Sequence, residues 1–324
     1  MKVFVAGAGG AIGRSLVPQL VANGHEVVGM TRSPSKRDLV RSLGARPVIA
    51  DALSADEVAA AVAAAEPEAI VHELTSLSGP MSMKAARHPE RFEGAIMTGR
   101  LRTEAADHLL AAGRAVGARR FVAQSFGAFR FARTGGPALS EDEPIDPHAG
   151  GPLQPGIDAI LHLERAVTSI DWGEGLALRY GGFYGPWTSV SLDPDAVLAG
   201  PVRRRRLPII GQGGGITSYV HVDDAAAATV IAVERGRPGV YNIVDDEPAP
   251  QREWLPVLAQ ALGAKPPRHM PRWFARLLAG ETATAMMTDA KGSSNLKARR
   301  ELGWQPRYPS WRQGFMEGLG ERDD

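Results

Sequence analysis

The chain has no cysteine among its 324 residues, which excludes disulfides, thiolate metal ligands and a cysteine nucleophile. Aromatic residues make up only 6%, with five tyrosines among them, so few phenols are at hand for acid–base work. Neither sign of charge dominates: 37 Lys and Arg stand against 36 Asp and Glu, a net charge of +1. So even a balance argues against nucleic acid or an acidic membrane surface as the main partner. No charge-free apolar stretch reaches membrane-spanning length. Residues 3–22 superficially resemble a secretory signal, but they lack a continuous apolar run and carry spaced glycines. That pattern favours a strand, a turn and a helix, and the expected location is the cytoplasm. The remaining composition, 44% apolar and 23% charged, is that of a soluble chain with a full core, in one large domain or two modest ones.

The glycines themselves are the strongest local signal. Lys2 to Ala6 is a short apolar run of strand formers, followed by Gly7, Gly9, Gly10 and Gly13 as the pattern turns helical up to Ala22. Gly7 permits a tight turn, Gly10 lets backbone approach a pyrophosphate, and Gly13 lets helix and strand pack closely. The pyrophosphate would rest on unpaired N–H groups at the positive end of the helix. Strand-like runs follow at 25–30, 47–50, 69–72 and 120–124, separated by helical segments at 37–43, 56–65 and 93–116, the last read as one long helix. Further on come a helix at 155–169, strands at 175–180 and 240–244, and a helix opened by Val222-Asp223-Asp224, with an Asp as the expected N-cap. The tail adds helical pieces at 251–262, 271–278 and 294–302. Such alternation implies an α/β fold, a Rossmann-type doubly wound parallel sheet of about seven strands with a smaller C-terminal substrate domain. The expected division is 1–180 plus 216–245 for nucleotide and 181–215 plus 246–324 for substrate.

The end of the second strand decides between the nicotinamide cofactors, because an acid there binds ribose hydroxyls and a base accepts a 2′-phosphate. The sequence reads Gly29-Met30-Thr31-Arg32-Ser33, with Lys36 and Arg37 nearby and no acid. Arg32 offers a planar fork to a phosphate, although a solvated charge run is the alternative. NADP(H) is therefore expected ahead of NAD(H). Asp51 is expected near the adenine or, alternatively, as a helix cap.

Together these segments resemble the extended short-chain dehydrogenase/reductase family, the NAD-dependent epimerase/dehydratase group, nearly end to end. The matching motifs are Gly7, Gly10 and Gly13; Leu178-Arg179-Tyr180-Gly181-Gly182-Phe183-Tyr184-Gly185-Pro186; Leu207-Pro208-Ile209-Ile210-Gly211; Val220-His221-Val222-Asp223-Asp224; Tyr241-Asn242; and Ser294-Asn295-Leu296-Lys297 with Leu302-Gly303-Trp304. The resemblance implies cofactor contacts from Gly7, Gly10, Ala11, Ile12, Gly13, Arg32, Ser33, Asp51, Ala52, Leu74, Thr75, Tyr180, Gly182 and Phe183. It implies substrate contacts from the segment holding Lys84 and His88 and from Trp187, no metal, and a homodimer through the helices near 93–116 and 155–169.

Family members use a Ser ending strand five and a Tyr-x-x-x-Lys on the next helix. Ser125 occupies the Ser position, with a strand-end cap as the alternative. Aligned through Leu161-His162-Leu163-Glu164, the Tyr position falls on Gly156 and the Lys position on Ile160. None of Tyr180, Tyr184, Tyr219, Tyr241 and Tyr308 is followed four residues later by Lys. His162 and Asp158 lie about 200° around the helix from the Gly156/Ile160 face and should point away from the nicotinamide. Candidates to replace the missing pair come from loops: Tyr184 after strand six, able to donate a proton but equally readable as a packed residue of its turn, Thr75 after strand four, and Lys84 and His88 in the segment beyond it. His72 reads as a structural histidine, and Glu73 as a carboxylate near the cofactor ribose or the cleft. The expected function is an NADPH-dependent reductase or dehydrogenase of a carbonyl or alcohol on a small, partly apolar metabolite. The alternatives are a non-redox epimerase, dehydratase or cyclase, and a non-catalytic NADP-binding sensor.

Overall fold

The computed structural model describes residues 1–77, 88–127, 136–143 and 151–320. Seven strands form one parallel sheet: β1 (Lys2–Ala6), β2 (Glu26–Thr31), β3 (Arg46–Ile49), β4 (Ala69–His72), β5 (Arg120–Phe126), β6 (Glu174–Tyr180) and β7 (Gly239–Ile243). Their spatial order is β3-β2-β1-β4-β5-β6-β7, so the winding direction reverses between β1 and β4. In open parallel sheets that reversal leaves a crevice beyond the strand ends, where ligands bind.

The helices are α1 (Ala11–Ala22), α2 (Arg37–Ser42), α3 (Ala55–Ala65), α4 (Glu93–Arg102), α5 (Glu104–Val116), α6 (Gln154–Thr168), α7 (Ala199–Arg203), α8 (Val222–Glu234), α9 (Gln251–Ala261), α10 (Arg272–Thr288) and α11 (Trp311–Glu317). Side chains alternate across a strand, so each strand feeds two cores. Val3 and Val5 join Leu16, Val17 and Leu20 of α1 and the alanines of α8 on one face. Phe4 and Ala6 join Val62 of α3, Leu109 of α5 and Leu163 of α6 on the other. Ala225, Ala226 and Ala228 are fully buried, and their small side chains let α8 lie close against α1. A third core, built around Tyr184, Tyr219, Trp254, Leu255, Trp311 and Phe315, lies outside these layers. Among the described residues no helix is long and apolar enough to cross a membrane.

Three local expectations are corrected. The helix expected over 93–116 is divided at Thr103 (φ −105°, ψ −80°), whose hydroxyl donates back to the Gly99 carbonyl at 3.1 Å. Such back-bonding competes with the helix ladder. The cap of α8 is His221, which accepts from the Asp223 amide, and both Asp223 and Asp224 sit in the first turn. Ala298, Leu302 and Trp304, grouped by sequence with the substrate unit, are packed in the α1/α8 core. There the Trp304 indole donates to the Asp224 carbonyl at 3.1 Å.

Candidate functional site

A cavity of about 220 Å³ opens beyond the carboxyl ends of β1, β2 and β4. The turn from β1 into α1 forms its floor. Gly7 sits at φ +99°, and a Cβ there would lie 2.9 Å from the Glu73 carbonyl oxygen. At Gly13 a Cβ would come within 2.4 Å of the Ala8 carbonyl, so only glycine lets α1 approach this closely. The start of α1 has no side-chain cap and no acid in its first turn, which leaves its N–H groups and positive dipole end free for an anion. A dinucleotide pyrophosphate fits that arrangement.

The cavity brings together Gly7, Gly10, Ala11, Ile12, Arg32, Leu74, Thr75 and Phe183. It adds Gly9, Met30, Thr31 and Gln124, which sequence reasoning missed, and Lys36 and Glu73, which it weighed. Arg32 and Lys36 both line the cavity at the end of β2, and the Lys36 stem lies over Gly9, 3.2 Å from where a Cβ would be.

Other expected contacts lie elsewhere. Gly13 acts beneath the turn rather than on the cavity wall. The Ser33 hydroxyl pairs with that of Ser35 at 2.8 Å. Asp51 closes a local turn by accepting from the Leu53 amide at 3.0 Å. Ala52 is buried, with its carbonyl 3.0 Å from His108 Nδ1, and Gly182 pairs with Tyr219 in a small separate sheet. Trp187 is half-exposed, with the Arg14 guanidinium 5.6 Å from its ring, and lines neither this cavity nor the one described below. Lys84 lies outside the described residues. Among them, no group of three or more His, Asp or Glu is placed to hold a metal.

Tyr180 lies under the cavity and controls Glu73. Its hydroxyl is 3.0 Å from Glu73 Oε1 and 2.6 Å from Thr229 Oγ1, and Thr229 donates to the Ala225 carbonyl at 2.8 Å. With Glu73 ionised, two hydroxyl hydrogens must serve three contacts. A protonated Glu73 supplies the third, giving a continuous run from Glu73 through Tyr180 and Thr229 to Ala225. Burial pushes the Glu73 carboxyl up to about 8, against the Tyr180 hydrogen bond, which acts to lower it. A neutral carboxyl is also the form that tolerates phosphate anions nearby. His72, by contrast, is structural. Its Nε2 is 2.9 Å from the Leu101 carbonyl, its Nδ1 accepts from Leu74 N at 3.2 Å, and burial lowers it to about 4.

The expected catalytic pair is corrected on geometry. Ser125 is fully buried and donates to Glu164 Oε1 at 2.7 Å, while Arg179 grips both Glu164 oxygens at 2.6 Å. Its hydroxyl serves a buried ion pair and lines neither cavity. Tyr184 is fully buried in the third core, its ring edge-on to Tyr219, His221 and Phe315. Burial raises its phenol far above the ordinary range, with Asp245 and Asp224 acting in the same direction. It is packing, not a proton donor in the cleft.

A second cavity, of about 590 Å³, lies between α4 and α6. Gly156 lines it, and a Cβ there would meet nothing within 4 Å. Ile160 is fully buried with Ile157, against Phe126 and Leu161. Where the family carries Tyr and Lys, this helix presents open space and hydrocarbon. His162 and Asp158, expected to point away, line this cavity as well; His162 Nε2 is 2.9 Å from Asp107 on α5 and Asp158 accepts from Gln154.

The family model described as "NAD dependent epimerase/dehydratase family" matches residues 3–244. A "3-diazoavenalumate denitrifying reductase" from a Streptomyces species is 45% identical over 316 residues, 97% of this chain and 99% of that protein. A UDP-glucose 4-epimerase of Mycolicibacterium smegmatis is 29% identical over 325 residues, 94% of each. Among solved structures, UDP-glucose 4-epimerase of Thermotoga maritima superposes with a TM-score of 0.76 at 20% identity, covering 98% of this chain and 97% of that one. The chain belongs to the NAD-dependent epimerase/dehydratase family and is an enzyme of that type.

Proposed function

We propose that this protein is an NADPH-dependent reductase whose substrate accepts hydride without needing a proton, the fitting class being an aromatic diazo compound in its diazonium form. The observation that carries this reading is that α6 places Gly156 and Ile160, neither of them an acid or a base, where an acid–base pair would stand. When bound, the reduced dinucleotide supplies one hydride. An arenediazonium cation that takes it up becomes the arene and dinitrogen, and its positive charge passes to the oxidised nicotinamide, so no proton is consumed or released. A ketone needs a proton as well, and an epimerase must remove one from a hydroxyl; neither need is met at Gly156 and Ile160. The 45% identity to a denitrifying reductase supports the same choice.

In this reading the α1 N–H groups and the glycine turn hold the pyrophosphate, Leu74, Thr75 and Phe183 flank the dinucleotide, and Arg32 with Lys36 receives the 2′-phosphate. Arg32→Ala is expected to weaken NADPH binding about tenfold or more and NADH binding less than about twofold, as measured by cofactor fluorescence titration. Equal losses for both would remove the NADP assignment. The reaction is tested by mixing protein, NADPH and a carboxylated arenediazonium salt, with dinitrogen expected in step with NADPH oxidation. NADPH oxidation without dinitrogen would sink the denitrifying reading. The homodimer is part of this proposal, and light scattering tests it.

A further inference from the structure

The cavity between α4 and α6 holds a buried charge that no hydrogen bond or ion pair from another described residue meets. Arg102, the last residue of α4, lines it and is only 6% exposed. Its Nε is buried without a partner, and no hydrogen bond or ion pair joins the guanidinium to another described residue. The carboxylate whose field reaches Arg102 is Glu164, and that group is already held at both oxygens by Arg179 and by the Ser125 hydroxyl. Two buried guanidinium groups therefore share one carboxylate. Of the acids on the cavity wall, Asp158 accepts from Gln154 and Glu90 Oε1 is met by His88 and Arg91, while Glu90 Oε2 is buried without a partner; neither acid is hydrogen-bonded to Arg102. A buried, unpaired cation is costly, and here it faces a space large enough for a small organic molecule.

The wall is mixed: Leu77, Ile96, Phe126, Leu153 and Pro155 supply apolar surface, while His162, Arg100 and Arg165 stand on it with partners of their own in Asp107, Glu104 and the Leu161 carbonyl. The position of this space relative to the cofactor cavity follows from the chain. Thr75 and Gln124 line the smaller cavity, and Leu77 and Phe126, each two residues further on, line the larger. Two residues of extended chain span at most about 7 Å, so the two spaces open side by side beyond β4 and β5.

We infer that the larger cavity is the substrate pocket and that Arg102 receives the carboxylate of an apolar monocarboxylic acid. The inference rests on the reductase reading for its reaction and names the substrate's second functional group. A guanidinium fork matches a carboxylate in a bidentate pair, and a ligand seated there completes the counter-charge missing around Arg179 and Arg102. Its far end then lies within the same cavity as Gly156, Leu77 and Phe126.

Titration of the protein, with NADP+ present, by cinnamate and by cinnamamide tests this directly, because the two probes share their shape and differ in charge. Wild type is expected to bind cinnamate about tenfold more tightly or better. Arg102→Gln is expected to abolish that preference while leaving NADP+ binding unchanged. Gly156→Trp fills the cavity at a position where a Cβ meets no neighbour, and is expected to lose both probes while retaining NADP+. Equal binding of acid and amide to wild type overturns the inference. So does an acid preference that survives Arg102→Gln, or probe binding unaffected by Gly156→Trp. If Arg102→Gln folds poorly, the wild-type comparison and Gly156→Trp decide the matter without it. A protein that prefers the acid yet turns over no diazonium compound would keep this inference and lose the reductase reading.

Discussion

Glu164→Gln is expected to destabilise the protein by on the order of 3 kcal/mol or more, lowering the melting temperature by roughly 10 °C. Glu164 is 5% exposed and Arg179 is 5% exposed, and the two are joined by a pair of 2.6 Å hydrogen bonds in register with Ser125. Removing the carboxylate charge leaves Arg179 buried and unmatched, with Arg102 unmatched nearby. Replacing both partners by leucine removes the Arg179 charge along with the pair, and the double variant should recover part of the loss, Arg102 staying unmatched. Ser125→Ala removes one hydrogen bond to Glu164 and should cost about 1 kcal/mol, with turnover reduced only in proportion to folded protein. A Glu164→Gln melting curve that coincides with wild type would contradict this account of the pair. A large fall in turnover for Ser125→Ala at unchanged stability would return that hydroxyl to the active site.

Glu73→Gln is expected to change how the protein responds to pH. Glu73 has an ordinary value of 4.5 and a folded value of about 8, so between these limits the folded state holds a proton that the unfolded state has released. Its stabilising contribution is complete below the lower value and is lost as pH rises through the upper one. At about 1.4 kcal/mol for each pH unit, the total is on the order of several kcal/mol. Glutamine keeps the shape, donates to Tyr180 in place of the acid proton and does not titrate. The variant should therefore gain stability over wild type as pH rises to about 8 and differ little near pH 4.5. Asp245 is also raised by burial to about 8 and titrates in both proteins, so the difference between their curves isolates Glu73. NADPH affinity should fall above about pH 8 in wild type, where a second negative charge meets the phosphates, and stay level in Glu73→Gln. Parallel stability curves would show that Glu73 is ionised throughout.

The sheet was legible because its signals are local. Alternating apolar runs mark each strand, and the β4 limits at 69–72 coincide with the structure because both of its faces are buried. The glycine turn was legible for the same reason, since backbone space at Gly7 and Gly13 admits no side chain. The loss of the Tyr–Lys pair could be seen as an absence. Its consequence could not be, because Tyr184 and Ser125 are read from motif position alone while their burial depends on distant residues. Phe315 and His221 enclose Tyr184, and Glu164 on α6 captures Ser125. The buried charge cluster did leave one trace, an arginine within the largely apolar strand Glu174–Tyr180, which needs a partner once that strand is enclosed between β5 and β7. Arg102 left none, because a helix-terminal arginine ordinarily reads as a solvated end of α4.

The central claim is that hydride is transferred without a dedicated proton donor, and isotope tracing tests it most directly. NADPH deuterated at its transferable position is supplied with a carboxylated arenediazonium salt in one reaction and a carboxylated ketone of similar size in the other. The account predicts deuterium on the arene carbon that lost dinitrogen, one dinitrogen per NADPH consumed, and slow or absent alcohol formation. Deuterium in the alcohol at a comparable or greater rate, with the diazonium compound left intact, would contradict it and point to a proton source that Gly156 and Ile160 do not provide.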